Sequence, residues 1–433
     1  MENLSGTSGK PNALKQYNYR LIIRALQNRE ASSAAQLSLE TGLSKTTVSK
    51  ILTELAKYHL IKYEGKGVST AEGGKKPDMF AFHSGYALTI VLSIYREQCF
   101  RCSLADLTGH ILYEKEYSFP KGLDYPSLLE QLQYAVQELW IQKGLKEKTL
   151  CGIAIGYNGV ADTNAGKILF PMNSADAAFL PLCSDLAALL PDCPFIFVDN
   201  IGYFSGYAEL TSKNTGDCSR IAVISCNENV HGCTLSSVRQ RPGDRGIVGE
   251  FGHIILDASQ PASCYCGSNG CLESLIANHA ILAQAQKLCS QYPDASLSQK
   301  SREGTLSIND ILSAADAGDP FAHKILKPMA DYWAILIHNL IVLESVNKVI
   351  IQGSYARAGQ SFLDYVCTQV HKLNRFDRNS DFTVEFSRWS LQGPESDKTA
   401  VVYGAARYIA NDYLDALVSK WFSTQEKKDR ADV

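Results

Sequence analysis

Residues 32–61, SSAAQLSLETGLSKTTVSKILTELAKYHLI, hold two short amphipathic stretches on either side of a glycine. Val48, Ile51, Leu52 and Leu55 recur at i, i+3, i+4 and i+7, which predicts one apolar face of a helix. The preceding AAQLSLET predicts a shorter helix with Leu37 turned inward. Gly42 suits the left-handed residue that ends such a helix, and Ser44 stands where an N-cap belongs. Upstream, NYRLIIRALQN predicts a first helix that completes a three-helix core. Downstream, KYEGKGVSTAEGGKKPDMFAFH places two β-prone runs around a loop of glycines and lysines, a predicted wing.

From about Tyr86 the pattern changes to alternating strands and helices. YALTIVLSIYR, QCFRCSLADL and HILYEKEYSF predict three consecutive strands, and YPSLLEQLQYAVQELWIQKG an amphipathic helix. LCGIAIGYNGVAD and CPFIFVDN predict buried strands, and RIAVISCNENVHGCTLSSV a hairpin. DPFAHKILKPMADYWAILIHNLIVLESVNKVIIQGSYA predicts a long helix followed by a strand. Three strands and then βαβ units, twice over, predict an α/β body of two related lobes.

The 433 residues are 45% hydrophobic and 20% charged, ordinary for two or three globular domains. No apolar run approaches the length of a membrane span, and the first twenty residues carry no apolar signal core. Thirteen cysteines, odd in number and scattered, fit a reducing cytoplasm rather than a disulfide framework. A cytoplasmic protein without a membrane partner is therefore expected. Charge divides unevenly: residues 1–83 carry 12 basic against 7 acidic side chains, the remainder 30 against 38. A basic N-terminal segment on an acidic body points to a polyanion partner for the first part alone.

The helix pattern and the charge agree on which polyanion. A helix, a glycine turn and a second helix that opens on small hydroxyls and lysines is what entry into a DNA major groove requires. Lys45, Thr46, Thr47, Ser49 and Lys50 are the candidate DNA-facing residues of the second helix. Short side chains let the helix approach, and lysines meet phosphates. Lys75 and Lys76, with Lys66, are candidates on the wing. The bland alternative is a helical hairpin with a basic linker.

SCYCGSNGCLES, residues 263–274, packs three cysteines into eight positions. It could be a disulfide knot, a metal site or three small core residues. Cys264, Cys266 and Cys271 supply three soft ligands, and His253, eleven residues before the first, supplies a fourth. A Cys3His set fills a tetrahedral zinc shell and leaves no position for an activated water, so a structural zinc is expected. Gly267 and Gly270 permit the tight turn that gathers the thiolates.

These motifs carry a family resemblance over about residues 15–410. TGLSKTTVSKILTELAKYHLI with GGKKP resembles the winged helix-turn-helix half of the xylose, glucose and N-acetylglucosamine repressors of the ROK family. GIVGEFGHI followed by CYCGSNGCLES resembles that family's Gly-Glu-x-Gly-His and Cys-x-Cys-Gly-x-x-Gly-Cys-Leu-Glu signature. The family joins sugar kinases to sugar-responsive repressors and places zinc at the matching residues. The resemblance implies a winged helix-turn-helix over residues 1–82 and a two-lobed actin-like (RNase H-like) sugar-kinase-type body. The first lobe would hold residues 83–199 and about 394–430, the second residues 200–393 with the zinc loop. It also implies a homodimer or larger assembly that reads a two-fold operator.

In the family a hexose is held by an Asn-Asp pair, by the Glu and His of the first motif and by the Glu after the last cysteine. On this chain Asn200, Glu250, His253 and Glu273 match as candidate effector-binding residues. The position of the catalytic Asp is Ile201, and the later Asn position is Tyr203. Ile201 has no proton acceptor for the attacking hydroxyl. Asp199 is close by, but side chains alternate along a strand, so it is not expected to stand in. Where kinases carry Asp-Ile-Gly-Gly-Thr, LSIYREQ has Ser93, Tyr95 and Arg96, and the second phosphate loop reads SCNENVHGC. Side chains there block the backbone amides that would cradle phosphate.

The expected function is a cytoplasmic DNA-binding regulator, a repressor of sugar-utilisation genes, without catalysis. A sugar or sugar derivative in its cleft would alter how the heads are held, with Ile201 and Tyr203 favouring one less hydroxylated or larger than glucose. Two alternatives stand beside it: a sugar kinase with a rewired site, and a regulator controlled by a protein partner. A separate alternative for Glu250 and Glu273 is that they orient the zinc ligands instead of holding a sugar.

Overall fold

A computed structural model describes residues 11–68, 76–95, 99–120, 122–142, 144, 149–170, 177–212, 220–236, 248–261, 263–375 and 382–431. The chain opens with α1 (Pro11–Gln27), α2 (Ala34–Thr41) and α3 (Lys45–Lys57). They share a core built on Ile22, Leu26, Leu37, Val48, Leu52 and Leu55, none more than 1% exposed. Local chemistry sets each boundary. Ser33 and Gln36 form a capping box at the start of α2, and Gly42 ends it at φ 70° with its N–H on Ser38 O at 3.0 Å. Ser44 Oγ then accepts the Thr47 N–H at 3.2 Å and starts α3. β2 (Ile61–Lys66) and β3 (Asp78–Phe82) form an antiparallel pair, and β1 (Ser32–Ser33) joins β3 on its other side. A two-residue strand leaves no periodicity to read, so β1 has no sequence signal.

The first lobe begins with β4 (Leu88–Tyr95), β5 (Cys99–Asp106) and β6 (Ile111–Ser118), followed by α4 (Tyr125–Gln142) and β7 (Leu150–Tyr157). A small antiparallel sheet follows, made of β8 (Ala161–Asp162), β9 (Lys167–Phe170) and β10 (Ala178–Leu180). Next come α5 (Leu182–Leu189) and β11 (Ile196–Asn200). The main sheet has the order β11-β7-β4-β5-β6, with β11, β7 and β4 parallel. Alternate residues of β4 serve opposite cores. Ile90, Leu92 and Ile94 face α4 and α5, whereas Val91 and Tyr95 join the core of α6 (Ile201–Thr211) and α14 (Pro394–Ala431).

The second lobe holds β12 (Arg220–Cys226), β13 (Val230–Ser236), α7 (Leu272–Ile276), α8 (Asn278–Cys289), α9 (Ser296–Arg302) and α10 (Ile308–Asp316). It continues through α11 (Pro320–Glu344), β14 (Lys348–Gly353), α12 (Gln360–Leu373), β15 (Thr383–Phe386) and α13 (Arg388–Leu391). Its sheet has the order β13-β12-β14-β15. The two lobes are therefore less alike than the sequence pattern predicts: among the described residues the second opens with two antiparallel strands, not three. After Ser236 the chain passes through residues 237–247, outside the described residues, and then into the cysteine loop.

One helix ties these parts together. α14 crosses α6 at Gly404, where any Cβ would overlap the Phe204 carbonyl oxygen. Its first turn carries Glu395, Asp397 and Lys398 between the lobes, and its far end seats the N-terminal head. Tyr58 stacks on Trp421 at 4.0 Å and 9°, and Tyr19 meets Phe422 edge-on at 5.2 Å. Arg20 and Arg24 both reach Asp415 at 3.3 Å. These groups are partly exposed, so the aromatic contacts outweigh the ion pairs. Trp421→Ala is expected to weaken the seat by about 1–2 kcal/mol. Hydrogen exchange should then quicken in α1–α3 while β4, β7 and β12 keep their protection. Unchanged exchange in α1–α3 would show that the head is held elsewhere.

Candidate functional site

On α3 the burial follows the heptad positions closely. Val48, Ile51, Leu52 and Leu55 are buried, and Lys45, Thr46, Ser49 and Lys50 are exposed on the other side. Thr47 is half-buried, its hydroxyl 2.8 Å from Ser44 Oγ as part of the cap. Of the wing candidates, Lys76 is exposed, Lys66 pairs with Asp78 at 2.6 Å, and Lys75 lies outside the described residues.

The cysteine loop gathers its four candidate ligands. One ligand atom each from His253, Cys264, Cys266 and Cys271 lies within 4.8 Å of all the others. Cys264 Sγ is 3.5 Å from His253 Nδ1, and Cys266 Sγ is 3.7 Å from Cys271 Sγ. Gly267 and Gly270 take φ 89° and 68°, so the turn uses the left-handed backbone that glycine allows. The donor set, three sulfurs and one imidazole nitrogen, fits a small tetrahedral cation. Burial pushes the Cys271 thiol up to about 12, so an arriving cation must displace a proton. His253 presents Nδ1 to the sulfurs and Nε2 to the Tyr265 hydroxyl at 2.8 Å. Tyr265, between two of the cysteines, has no distinguishing signal in the sequence.

The residues matched to a hexose site also come together, but they are occupied with one another. Asn200 Nδ2 donates to Glu250 Oε1 and to Gly159 O, each at 3.0 Å. Asn200 Oδ1 caps α6 through the Gly202 N–H at 2.7 Å. Glu273 is buried and accepts the Val230 N–H at 2.9 Å. His253 Nε2 is 3.9 Å from Glu250 Oε2. Ile201 is the first residue of α6, not a strand residue, so strand alternation does not govern its relation to Asp199. Asp199 Oδ1 instead accepts the Asn200 N–H at 2.7 Å, and the residue is not in the cleft wall. Tyr203 corrects another expectation. It is 4% exposed, in an aromatic cluster with Phe204, Tyr207 and Tyr408, and does not shape the cleft.

Between the lobes lies a cavity of about 290 Å³. Ile201, Tyr95 and Asn158 contribute from the first half of the chain, Asn227 and Asn229 from the β12–β13 turn, and His231 from β13. Glu395, Asp397 and Lys398 close it from α14. Tyr95 lines the cleft with a buried ring, and Lys398 Nζ lies 5.4 Å from the centre of that ring. Arg96 lies outside the described residues. Glu395 is held by Arg101 at 2.6 Å, and burial raises the Asp397 carboxyl above its ordinary range. Glu395, Asp397 and Lys398 could not be foreseen as cleft residues, because the chain returns to the cleft almost two hundred residues after Ile201. Among the described residues no helix is long and apolar enough to cross a membrane.

Comparison with known proteins places this architecture. The chain is 23% identical over 406 residues to the xylose repressor of Caldicellulosiruptor bescii, covering 94% of this chain and 98% of that one. A solved ROK family transcriptional regulator, a homologue of the Escherichia coli Mlc protein, superposes with a TM-score of 0.69 and 22% identity over 92% of this chain and 99% of its own. A ROK family glucokinase from Streptomyces griseus, solved with glucose and AMPPNP, gives 0.58 and 20%, over 74% of this chain and 98% of its own. The kinase likeness covers less of this chain than the regulator likeness does. The profile of the ROK family matches residues 97–408, and the chain belongs to the ROK family.

Proposed function

We propose that the chain is a DNA-binding transcriptional regulator, a repressor acting on sugar-utilisation genes. In this reading residues 1–82 form a winged helix-turn-helix head. Residues 83–199 with about 394–430, and residues 200–393, form the two lobes of a sugar-kinase-type body. The observation that carries the proposal is α3: a fully buried apolar face behind an exposed first turn of Lys45, Thr46, Ser49 and Lys50. Such a helix can enter the major groove, with Lys76 beside it on the wing. The likeness to a xylose repressor over nearly the whole of both chains supports it. A dimer is proposed, since two heads read a two-fold site with more affinity and selectivity than one.

The body is proposed to bind its effector without chemistry. Ile201 offers no base, and Tyr95 stands where phosphate would need bare backbone. Asn200, Glu250, His253 and Glu273 remain the proposed polyol contacts, and a sugar would have to break the Asn200–Glu250 hydrogen bond to use them. That same hydrogen bond favours a second reading, a regulator controlled by a protein partner. Its groups already satisfy each other and gain less from a sugar. Zinc is proposed on His253, Cys264, Cys266 and Cys271, with a structural role. His253 would ligate through Nδ1 and keep Nε2 for the Tyr265 hydroxyl.

Three outcomes are expected. Lys45→Ala and Lys50→Ala should each weaken duplex binding several-fold and lower the slope of log affinity against log salt by about 1. Fluorescence anisotropy over a salt series reads this, and an unchanged slope in both variants removes α3 from the interface. Elemental analysis should find about one zinc per chain, lost in Cys266→Ser, with the thermal midpoint down by more than roughly 4 °C. Equal stability with no metal in either protein would refute the zinc site. A thermal-shift panel of free sugars and sugar phosphates should give a shift that Glu250→Gln abolishes. No shift with any member favours the partner-controlled reading.

A further inference from the structure

A second cavity, of about 440 Å³, lies in the second lobe where α10, α11 and α12 meet, and it shares no lining residue with the interlobe cleft. Its volume is that of a small-molecule site. Buried Leu326 and Phe362 stand at its back, and the half-buried Tyr365 at its side. Its mouth is cationic. Lys324 and Lys327 both line it and are exposed, so a ligand in the cavity can reach both. None of its lining residues is acidic. The two lysines differ in what already holds them. Lys327 Nζ pairs at 3.0 Å with Asp331, outside the lining, and the Tyr365 hydroxyl donates to the same carboxylate at 2.9 Å. Lys324 has no carboxylate partner among the described residues; its Nζ donates to the Tyr292 hydroxyl at 2.7 Å.

Ser361, exposed on the same wall, adds a donor. His323 Nε2 is 2.7 Å from the Ala315 carbonyl oxygen, which only accepts, so that nitrogen carries a proton. Ser361 Oγ, 3.5 Å from the same nitrogen, is then an acceptor there, and its own hydrogen is left for a ligand. α12 begins one residue earlier, at Gln360, with no side chain capping its first turn, so its N-terminus adds positive potential beside Ser361. Charge selects the head of the ligand. One unpaired ammonium and a hydroxyl match a singly charged oxyanion, whereas Asp331 beside Lys327 opposes a second negative charge. The four-carbon stem of Lys324 lets its ammonium turn from Tyr292 towards the cavity. The walls select the body: Leu326, Phe362 and the Tyr365 ring match apolar surface. We propose that this cavity binds a small monocarboxylate with an apolar ring or chain, its carboxylate on Lys324 and Ser361 and its body against Phe362 and Tyr365. The site is not isolated. Ala358 of its lining follows the turn Ser354–Arg357, and Ser354 Oγ holds Asn227 of the cleft at 3.0 Å.

Calorimetric titration of the full chain with phenylacetate, and separately with octanoate, tests this at constant ionic strength. One or both should saturate one site per chain, and the arm that saturates tells ring from chain. Acetate, which lacks the body, and the amides of the two acids, which lack the charge, should bind roughly tenfold or more weakly. Lys324→Glu reverses the sign at the mouth. The position is exposed, so the fold should persist, with the thermal midpoint within about 2 °C of the wild type. Its affinity for the saturating acid should fall roughly tenfold or more, and that of Ser361→Ala several-fold. Failure of both acids to saturate the wild-type chain, equal binding of the matching amide, or wild-type affinity in Lys324→Glu overturns the proposal. These titrations need neither duplex nor sugar, so their failure leaves the reading of α3 and of the cleft untouched.

Discussion

The crossing of α6 and α14 is the constraint on which the rest of the molecule depends. At Gly404 the two backbones approach too closely for any side chain, and Gly206 of α6 leaves no room for a Cβ against Cys233 of β13. α6 is therefore clamped between the last helix and the second sheet. Its first residue, Ile201, is fixed in the cleft, and Tyr203 and Phe204 are fixed in the core beneath. Because α14 is one continuous helix, the same clamp sets where Glu395, Asp397 and Lys398 stand and where Trp421 receives Tyr58. A rigid element that touches both cleft and head is a physical route for coupling them, provided that a ligand distinguishes two positions of the lobes.

A catalytic cleft and a binding cleft of one fold can differ at very few positions. A phosphoryl-transfer site needs a base beside the attacking hydroxyl and bare backbone amides around the phosphates. At the positions that the proposed function compares with these, Ile201 and a buried Tyr95 line the cleft. Glu395 lines the cleft and is held by Arg101, whereas Glu250 and Glu273, outside its lining, are engaged by Asn200 and by the Val230 N–H. Function in this fold therefore follows from the groups in the cleft and not from the architecture, which kinases and regulators share.

What could be read from the sequence was local. Val48, Ile51, Leu52 and Leu55 announce α3 because a helix face is written at fixed spacing, and Gly42 and Ser44 mark the end of α2 and the start of α3 by backbone needs of their own. The cysteine cluster was legible because its ligands sit in one short loop with His253 eleven residues away. What failed depended on direction or on distance. Tyr203, two residues past Ile201, looks like a cleft residue on paper. A helix starts at Ile201, however, and two residues turn the side chain most of the way round, into the aromatic core. The walls given by α14 and the seat of the head on Trp421 come from a segment that returns almost two hundred residues after Ile201 and more than three hundred after Tyr58. No periodicity within either segment records that meeting.

In the proposed function, a body of the ROK family carries and positions a head that reads DNA. Selection of duplexes from a random-sequence pool by the purified full-length chain tests this most directly. Enrichment of a site with two-fold related halves is expected, and its loss when residues 1–82 are removed. A pool that stays random after repeated rounds, or enrichment that survives removal of those residues, would contradict it.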